Sequence, residues 1–422
     1  MIHTIYHILR IYDKNMITIY EKQNTIIQYC LVAFLFTFIA IFFYIKLKYP
    51  FWNGQPVYHI YDYWRILFRE PGIIYSDYPK ITKFCNFTDC TTIAYHDANS
   101  SQINECIDIL QTQYLRTDDS VFVFNEKTMD SYMTGHSYSS YITVYLEPLF
   151  INDFQKNLQI KALITSRSIN IQGNVPVYYW DLICSNRELP IKRTYELIQT
   201  HNYRTRILNP DIAIGLFKRV GSSNNEGIVP IVKFSIRSYK INSYVTSPPI
   251  MPKYYLVVDI NRTNIADVIE FLERKVKIDY QFWAITDMTN IEGLILSGVL
   301  YGYIIIVKGE IMAVYFFRDS RIFLENLFEY ESMEGDGGSV LEFVCSANYI
   351  GSRQVFYDGF LHALFLLRKT IPVYNTLTVE GVGDNKIIQN YMNGCIVETT
   401  GAYYFYNYFY RTVESSQCFI LL

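Results

Sequence analysis

One stretch of the chain departs from the rest in its run of apolar positions. Residues 25–45 read TIIQYCLVAFLFTFIAIFFYI, with Gln28 the single strongly polar side chain. A helix needs about 20 such residues to cross a hydrocarbon core. Lys22 precedes the run, Lys46 and Lys48 follow it, and no small-x-small cleavage site comes after it. An uncleaved transmembrane helix over 25–46 is therefore expected, rather than a signal peptide. Basic residues balance on the two sides, so the positive-inside rule leaves the orientation open. Ahead of the run, Ile2, Ile5, Tyr6, Ile8 and Leu9 repeat at helical spacing. Residues 1–24 are expected to form an amphipathic segment on the membrane surface.

From Tyr49 onward, short runs of two periods alternate. Ile103, Cys106, Ile107, Leu110 and Tyr114 have helical spacing, with Ser101 as the expected N-cap. Residues 121–124 are a short β-rich run. Residues 159–171 alternate, Gly173-Asn174 turns the chain, and 175–184 reads as the next strand. Helices are expected over 191–203, 264–275, 353–368 and 386–392. Strands are expected over 229–244, 254–260, 340–349, 373–380 and 401–410, with a hairpin over 298–317 turning at Gly309. This mixture lacks the regular rhythm of a doubly wound sheet. The expected class is mixed α/β.

Composition narrows the classes. The chain has 422 residues, half of them apolar and 18% charged, so it can bury a large core and is not a disordered chain. The length leaves room for two domains or one two-part fold. Forty acidic residues against 37 basic ones give a net charge of −3, which excludes a dedicated nucleic-acid binder with a basic face. The eight cysteines are scattered and read as reduced thiols. Cys85 and Cys90 have nearly metal-ligand spacing, but no second pair or nearby His motif completes a zinc site, so no metal is expected.

Three places could carry chemistry. In the first, Tyr178-Tyr179-Trp180-Asp181-Leu182-Ile183-Cys184 leads through a loop with Arg187 into a helix opening on Ile191, Lys192, Arg193 and Thr194. A helix N-terminus with basic residues suits a pyrophosphate, although solvated basic residues at a helix start are the commoner case. The second is the terminus Cys418-Phe419-Ile420-Leu421-Leu422, whose apolar character suggests a buried carboxylate that would need a partner. The third is Phe51-Trp52-Asn53-Gly54-Gln55-Pro56-Val57, just after the apolar run, where aromatics also suit a membrane interface.

In order along the chain, these residues resemble the N-myristoyltransferase (glycylpeptide N-tetradecanoyltransferase) family. Phe51-Trp52-x-x-Gln55-Pro56-Val57 is similar to FWxTQPV, and residues 114–124, YLRTDDSVFVF, are similar to YVEDDDNMFRF. Leu182-Ile183-Cys184, with Leu189 and Lys192-Arg193, is similar to FLCVHKKLRSKR. Asp384-Asn385-Lys386 resembles ENK, Tyr403-Tyr404-Phe405-Tyr406-Asn407 resembles YYLYN, and the end resembles the family's short apolar terminus. The resemblance runs from Phe51 to Leu422.

The resemblance implies two GNAT-like acyltransferase halves related by a pseudo-twofold, over 49–220 for acyl-CoA and 221–422 for peptide. It implies transfer from myristoyl-CoA, as cosubstrate, to an N-terminal glycine, with no permanently bound cofactor. The oxyanion donors would be the backbone N–H groups of Leu182 and Ile183, freed by a strand bulge. The base would be the carboxylate of Leu422. Phe51, Trp52, Arg187, Lys192, Arg193 and Thr194 would hold CoA. Asp118, Asp119, Phe122, Phe124 and Tyr404 would face the peptide. The implied partners are Gly-start peptides, acyl-CoA and, through 25–46, membrane lipid. A monomer with its domain in the cytosol is expected. The family's EDDD is here Arg116-Thr117-Asp118-Asp119, and only Ala213-Ile214-Gly215 echoes the family's YTAG. These departures keep two alternatives open: an inactive membrane-tethered scaffold binding acyl-CoA or peptide, and a GNAT-type enzyme acylating another amine.

Overall fold

A computed structural model describes residues 2–422 except 69, 116–119, 153–154, 222–226, 246 and 325–337. For 2–24, 63, 66 and 149–157 it describes the backbone alone. After the N-terminal helix, most of the chain is organised by one mixed sheet of fifteen strands.

The same order of elements occurs twice. In the first half, Tyr141–Asn152, Gln155–Ile171 and Val175–Ser185 form an antiparallel meander. The helix Ile191–Leu208 then crosses over, and Gly215–Val220 lies parallel to Val175–Ser185. In the second half, Leu300–Val307, Glu310–Leu324 and Gly338–Asn348 form the meander. The helix Arg353–Thr370 crosses over to Tyr374–Glu380, parallel to Gly338–Asn348. The fold is the expected mixed α/β class with two acyltransferase-like halves.

Local chemistry explains the turns. Lys308 and Gly309 both have positive φ and close a two-residue hairpin of the type that matches strand twist, while Gly173 and Asn174, also at positive φ, end the three-residue loop between Ile171 and Val175. The helix Ser100–Gln113 begins on a capping box: Asn99 accepts from the Gln102 backbone N–H, and Gln102 accepts from that of Asn99. The cap is thus Asn99, not the expected Ser101, because only Asn99 keeps extended backbone at that point. The strand expected over 401–410 is Val397–Tyr406, since Asn407 turns the chain at a φ of 62°.

The halves exchange strands, and this exchange builds the site. Val397–Tyr406 inserts between Gly215–Val220 and Val232–Lys240. The final strand, Cys418–Leu421, runs parallel to Phe282–Thr286, which pairs in turn with Gln155–Ile171 of the first half. The chain terminus therefore ends inside the molecule. Phe282 and Phe419 are wholly buried, so this edge is part of the core.

At the other end, one continuous helix runs from Ile2 to Lys48. Its portion Thr25–Lys48 is apolar enough to cross a membrane, with mean hydropathy 2.5; residues 25–41 are largely exposed, and the domain covers the stretch only near its end, where Ile45 is buried. At ~1.5 Å per residue, such a stretch is longer than a ~30 Å hydrocarbon layer.

Candidate active site

The first positioned element is a strand with a fault in it. Along Val175–Ser185, Asp181 pairs with Thr165 and Cys184 with Leu163, so Leu182 and Ile183 together face only Ile164. This is a β-bulge, and it takes ladder donors out of pairing. Leu182 sits at a φ of 48°, in the left-handed region. For a leucine that costs on the order of 1–3 kcal/mol and persists only where the surroundings impose it. The Asp181 side chain helps to impose it: its Oδ1 accepts the Leu182 N–H at 2.9 Å.

Leu182 and Ile183 line a cavity of about 280 Å³ with Tyr114, Phe122, Phe124, Tyr132, Tyr179, Lys218, Arg318 and Glu342. Arg318 ties the chain terminus to this cavity. Its Nη1 donates to a terminal oxygen of Leu422 at 3.2 Å, while Nε and Nη2 donate to Glu342 at 2.9 and 2.7 Å. Leu422 itself is buried. Beside this network, Lys218 pairs with Glu380 at 2.5 Å, and at the rim Arg321 pairs with Asp319. Arg167 lies buried between the rings of Tyr132 and Tyr179, with Nη2 at 3.4 Å from Asp181.

The electrostatics follow from burial. Burial alone would raise the Glu342 carboxyl, but Arg318 and Lys218 outweigh it and hold it below its ordinary range. Burial would likewise lower the Arg318 guanidinium, yet Glu342 keeps it firmly charged. The Tyr114, Tyr179 and Tyr403 hydroxyls are pushed well up by burial, so none serves as a phenolate near neutrality. Burial also pushes the Cys184 thiol up to about 12, which removes the cysteine of the bulged strand as a thiolate nucleophile. Among the described residues here, four cations (Arg167, Lys218, Arg318, Arg321) stand against five anions (Asp181, Asp319, Glu342, Glu380, the Leu422 carboxylate), one more anion than cation.

Several sequence-predicted residues meet here. Leu182, Ile183, Phe122 and Phe124 share the cavity wall, and Leu422 reaches it through Arg318. Tyr404 does not. It points to the opposite face of its strand and stacks on Phe217 at 5.4 Å, while its neighbour Tyr403 lies near Lys218. Side chains alternate along a strand, so a one-residue offset changes the face. Asp118 and Asp119 lie outside the described residues.

The CoA-side residues form a separate group. Phe51 and Trp52 are buried; Phe51 stacks on Tyr195 of the helix Ile191–Leu208 at 4.2 Å, and Trp52 on Phe217 at 5.6 Å. They brace the helix rather than line an open surface. That helix starts after Pro190 without a side-chain cap; the Arg193 N–H donates to the Pro190 carbonyl at 2.8 Å, while the Ile191 and Lys192 N–H groups precede that bond. Arg187 and Lys192 are exposed there. Arg193 pairs with Glu196 at 2.8 Å, and the Thr194 hydroxyl is buried with no hydrogen-bond partner among the described residues.

Sequence reasoning missed Arg318, Glu342, Lys218, Glu380 and Asp181 as site residues. Asp181 and Glu342 are single charges inside otherwise apolar or aromatic strand runs, and that interruption was the available signal; Lys218 and Arg318 follow aromatic residues but stand beside a second charge. Gly215 was seen only as an echo. A Cβ there would lie 2.7 Å from the Trp180 ring, so glycine allows the close approach of these two strands.

No protein-family model matches the chain, and no curated protein matches it in sequence. Its fold does match solved structures. A crystal structure of Saccharomyces cerevisiae N-myristoyltransferase with bound myristoyl-CoA is similar to it at a TM-score of 0.64 and 14% identity, over 87% of this chain and 94% of that one. Another, with bound myristoyl-CoA and inhibitors, gives 0.65 and 15%, over 88% and 93%. The chain has the N-myristoyltransferase fold, as its motifs implied, in a strongly divergent sequence.

Proposed function

We propose that the chain is a membrane-anchored protein N-acyltransferase, moving a myristoyl group from myristoyl-CoA to an N-terminal glycine amine. The observation that carries this reading is the left-handed bulge at Leu182 opening onto the cavity that also receives the buried Leu422 carboxylate through Arg318. The fold neighbours with bound myristoyl-CoA support acyl-CoA as the cosubstrate.

In this reading the bulge donors receive the thioester oxygen as it gains charge. The amine nitrogen attacks the carbonyl carbon, the carbon–sulfur bond breaks, and CoA leaves as the thiol. The one excess anion among the described residues favours an ammonium acceptor arriving from water. That ammonium must lose a proton before attack. The Leu422 carboxylate, which already accepts from Arg318 Nη1, is one acceptor. Asp181 is the second acceptor: a thioester oxygen taking the Leu182 N–H displaces its Oδ1 and leaves it free. The open start of Ile191–Leu208, with Arg187, Lys192, Arg193 and Thr194, receives the CoA phosphates. Thr25–Lys48 crosses the bilayer and keeps the domain on the cytosolic side, where acyl-CoA is found.

The same two contacts favour a second reading, a tethered scaffold that binds acyl-CoA without transfer, because the resting hole already holds a carboxylate and the terminal base is already paired. Mixing the purified full chain in detergent with myristoyl-CoA and a Gly-start peptide separates the two. Peptide-dependent release of CoA thiol supports transfer, and tight acyl-CoA binding without release supports the scaffold.

A further inference from the structure

The lower end of the apolar helix is docked on the domain. Phe42 meets the Tyr61 ring edge-on at 5.0 Å, and Ile45 is buried against Gly227. The segment that receives it is itself fixed: Ile60 donates its N–H to Gly227, Tyr61 donates to Asn53, and His59 bridges to Ile228. The helix therefore leaves the domain in a set direction, and Tyr61 lies beside its membrane end.

Two residues after Tyr61 the chain enters a short helix, Tyr63–Phe68. Trp64, Leu67 and Phe68 stand at i, i+3 and i+4, so they share one face. All three are about two-thirds exposed, at 69%, 68% and 64%, and Trp64 and Phe68 pack ring to ring at 4.3 Å. Tyr75, 61% exposed, lines a concavity there with Phe42, Lys46 and Arg65. Such a face has no reason to stay in water. Trp with Phe and Leu on one side of a short helix, with Lys and Arg nearby, is the composition of an element lying in a membrane interface.

We propose that Tyr63–Phe68 is a second membrane contact, whose Trp64, Leu67 and Phe68 sink into the interfacial layer of the bilayer that Thr25–Lys48 crosses. The proposal rests on the membrane-spanning reading of Thr25–Lys48. Its consequence is orientational. One spanning helix leaves a domain free to tilt, whereas a second contact fixes which side of the domain meets the lipid.

Tryptophan gives the test, because the other three, Trp52, Trp180 and Trp283, are buried. The full chain, wild type and Trp64→Tyr, is reconstituted into phosphatidylcholine vesicles, and flotation is measured beside fluorescence quenching. We expect both proteins to float. Lipids spin-labelled near the headgroup should quench a blue-shifted component of wild-type emission that is lost in Trp64→Tyr, and aqueous iodide should fail to quench it. Flotation with a Trp64 component that iodide quenches and the lipid label does not would overturn the second contact while leaving the span intact. Failure to float would overturn the span and the contact with it.

Discussion

The strands Val175–Ser185, Gly215–Val220 and Val397–Tyr406 have two faces of opposite chemistry. On one, Trp180, Phe217 and Tyr404 stack in a column, at 5.9 and 5.4 Å, with Trp52 closing it. On the other, Asp181 meets Arg167 of the first half and Lys218 meets Glu380 of the second, with the Tyr403 ring beside Lys218. The aromatic face is held chiefly by ring contacts. The charged face is held by a few directed pairs, and each can be exchanged for a ligand group. Strand alternation is what lets one set of strands do both.

The largest effects should come from breaking either face, with different signatures. Arg318→Ala leaves Glu342 and the terminal carboxylate buried without their partner, and should cost about 3–5 kcal/mol in denaturant unfolding of the full chain. Replacing Arg318 and Glu342 together by Met should restore most of that loss; no recovery would mean that the cost lies in packing rather than charge. Phe217→Ala removes the middle of the aromatic column and should cost about 3–5 kcal/mol as well. Unlike the Arg318 loss, it should be insensitive to salt.

A smaller change sharpens the boundary between the faces. Gly215→Ala drives a methyl into the Trp180 ring and should cost about 1–3 kcal/mol, with a shift in near-UV circular dichroism. Smaller still per step is the pH slope. Burial holds His136 near a pKa of about 4, with Arg167 adding to it, and His201 near about 3. Both folded values lie below the ordinary 6.5, so the unfolded chain binds more protons in the window between. Stability is present above pH ~6.5 and is lost as pH falls towards the folded values, by about 1.4 kcal/mol per pH unit for each group. His201→Gln should halve that slope in unfolding measured from pH 6.5 to 4.5. An unchanged slope would mean that His201 is hydrated in the folded state.

Much of the fold was legible, and the reason is local. Residues 159–184 and 353–368 announced themselves by period, and the Gly-Asn and Lys-Gly turns by their need for positive φ. The strand Phe282–Thr286 was not assigned, because a strand buried along its length reads as a plain apolar run without alternation; Tyr141–Asn152 was not assigned either. The site was legible where the backbone does the work, at Leu182 and Ile183, and at the terminus, where apolar residues surround a charge. It was not legible at Arg318 and Glu342. Their pairing joins two strands of the second half with the end of the chain, and no short-range pattern encodes such a meeting. Tyr404 lies on the strand face opposite the cavity, a placement that motif likeness does not convey, because a strand face changes at every residue.

The central claim is that the bulge at Leu182 and the carboxylate of Leu422 serve one transfer reaction. The most direct measurement is the mass of a Gly-start peptide after incubation with myristoyl-CoA and the full chain, beside a chain lacking Leu422. The account predicts that the intact chain adds a myristoyl group to the glycine nitrogen, and that loss of Leu422 lowers the rate by about 10²-fold or more while acyl-CoA binding persists. A peptide that stays unmodified with both chains, although both bind myristoyl-CoA, would contradict it.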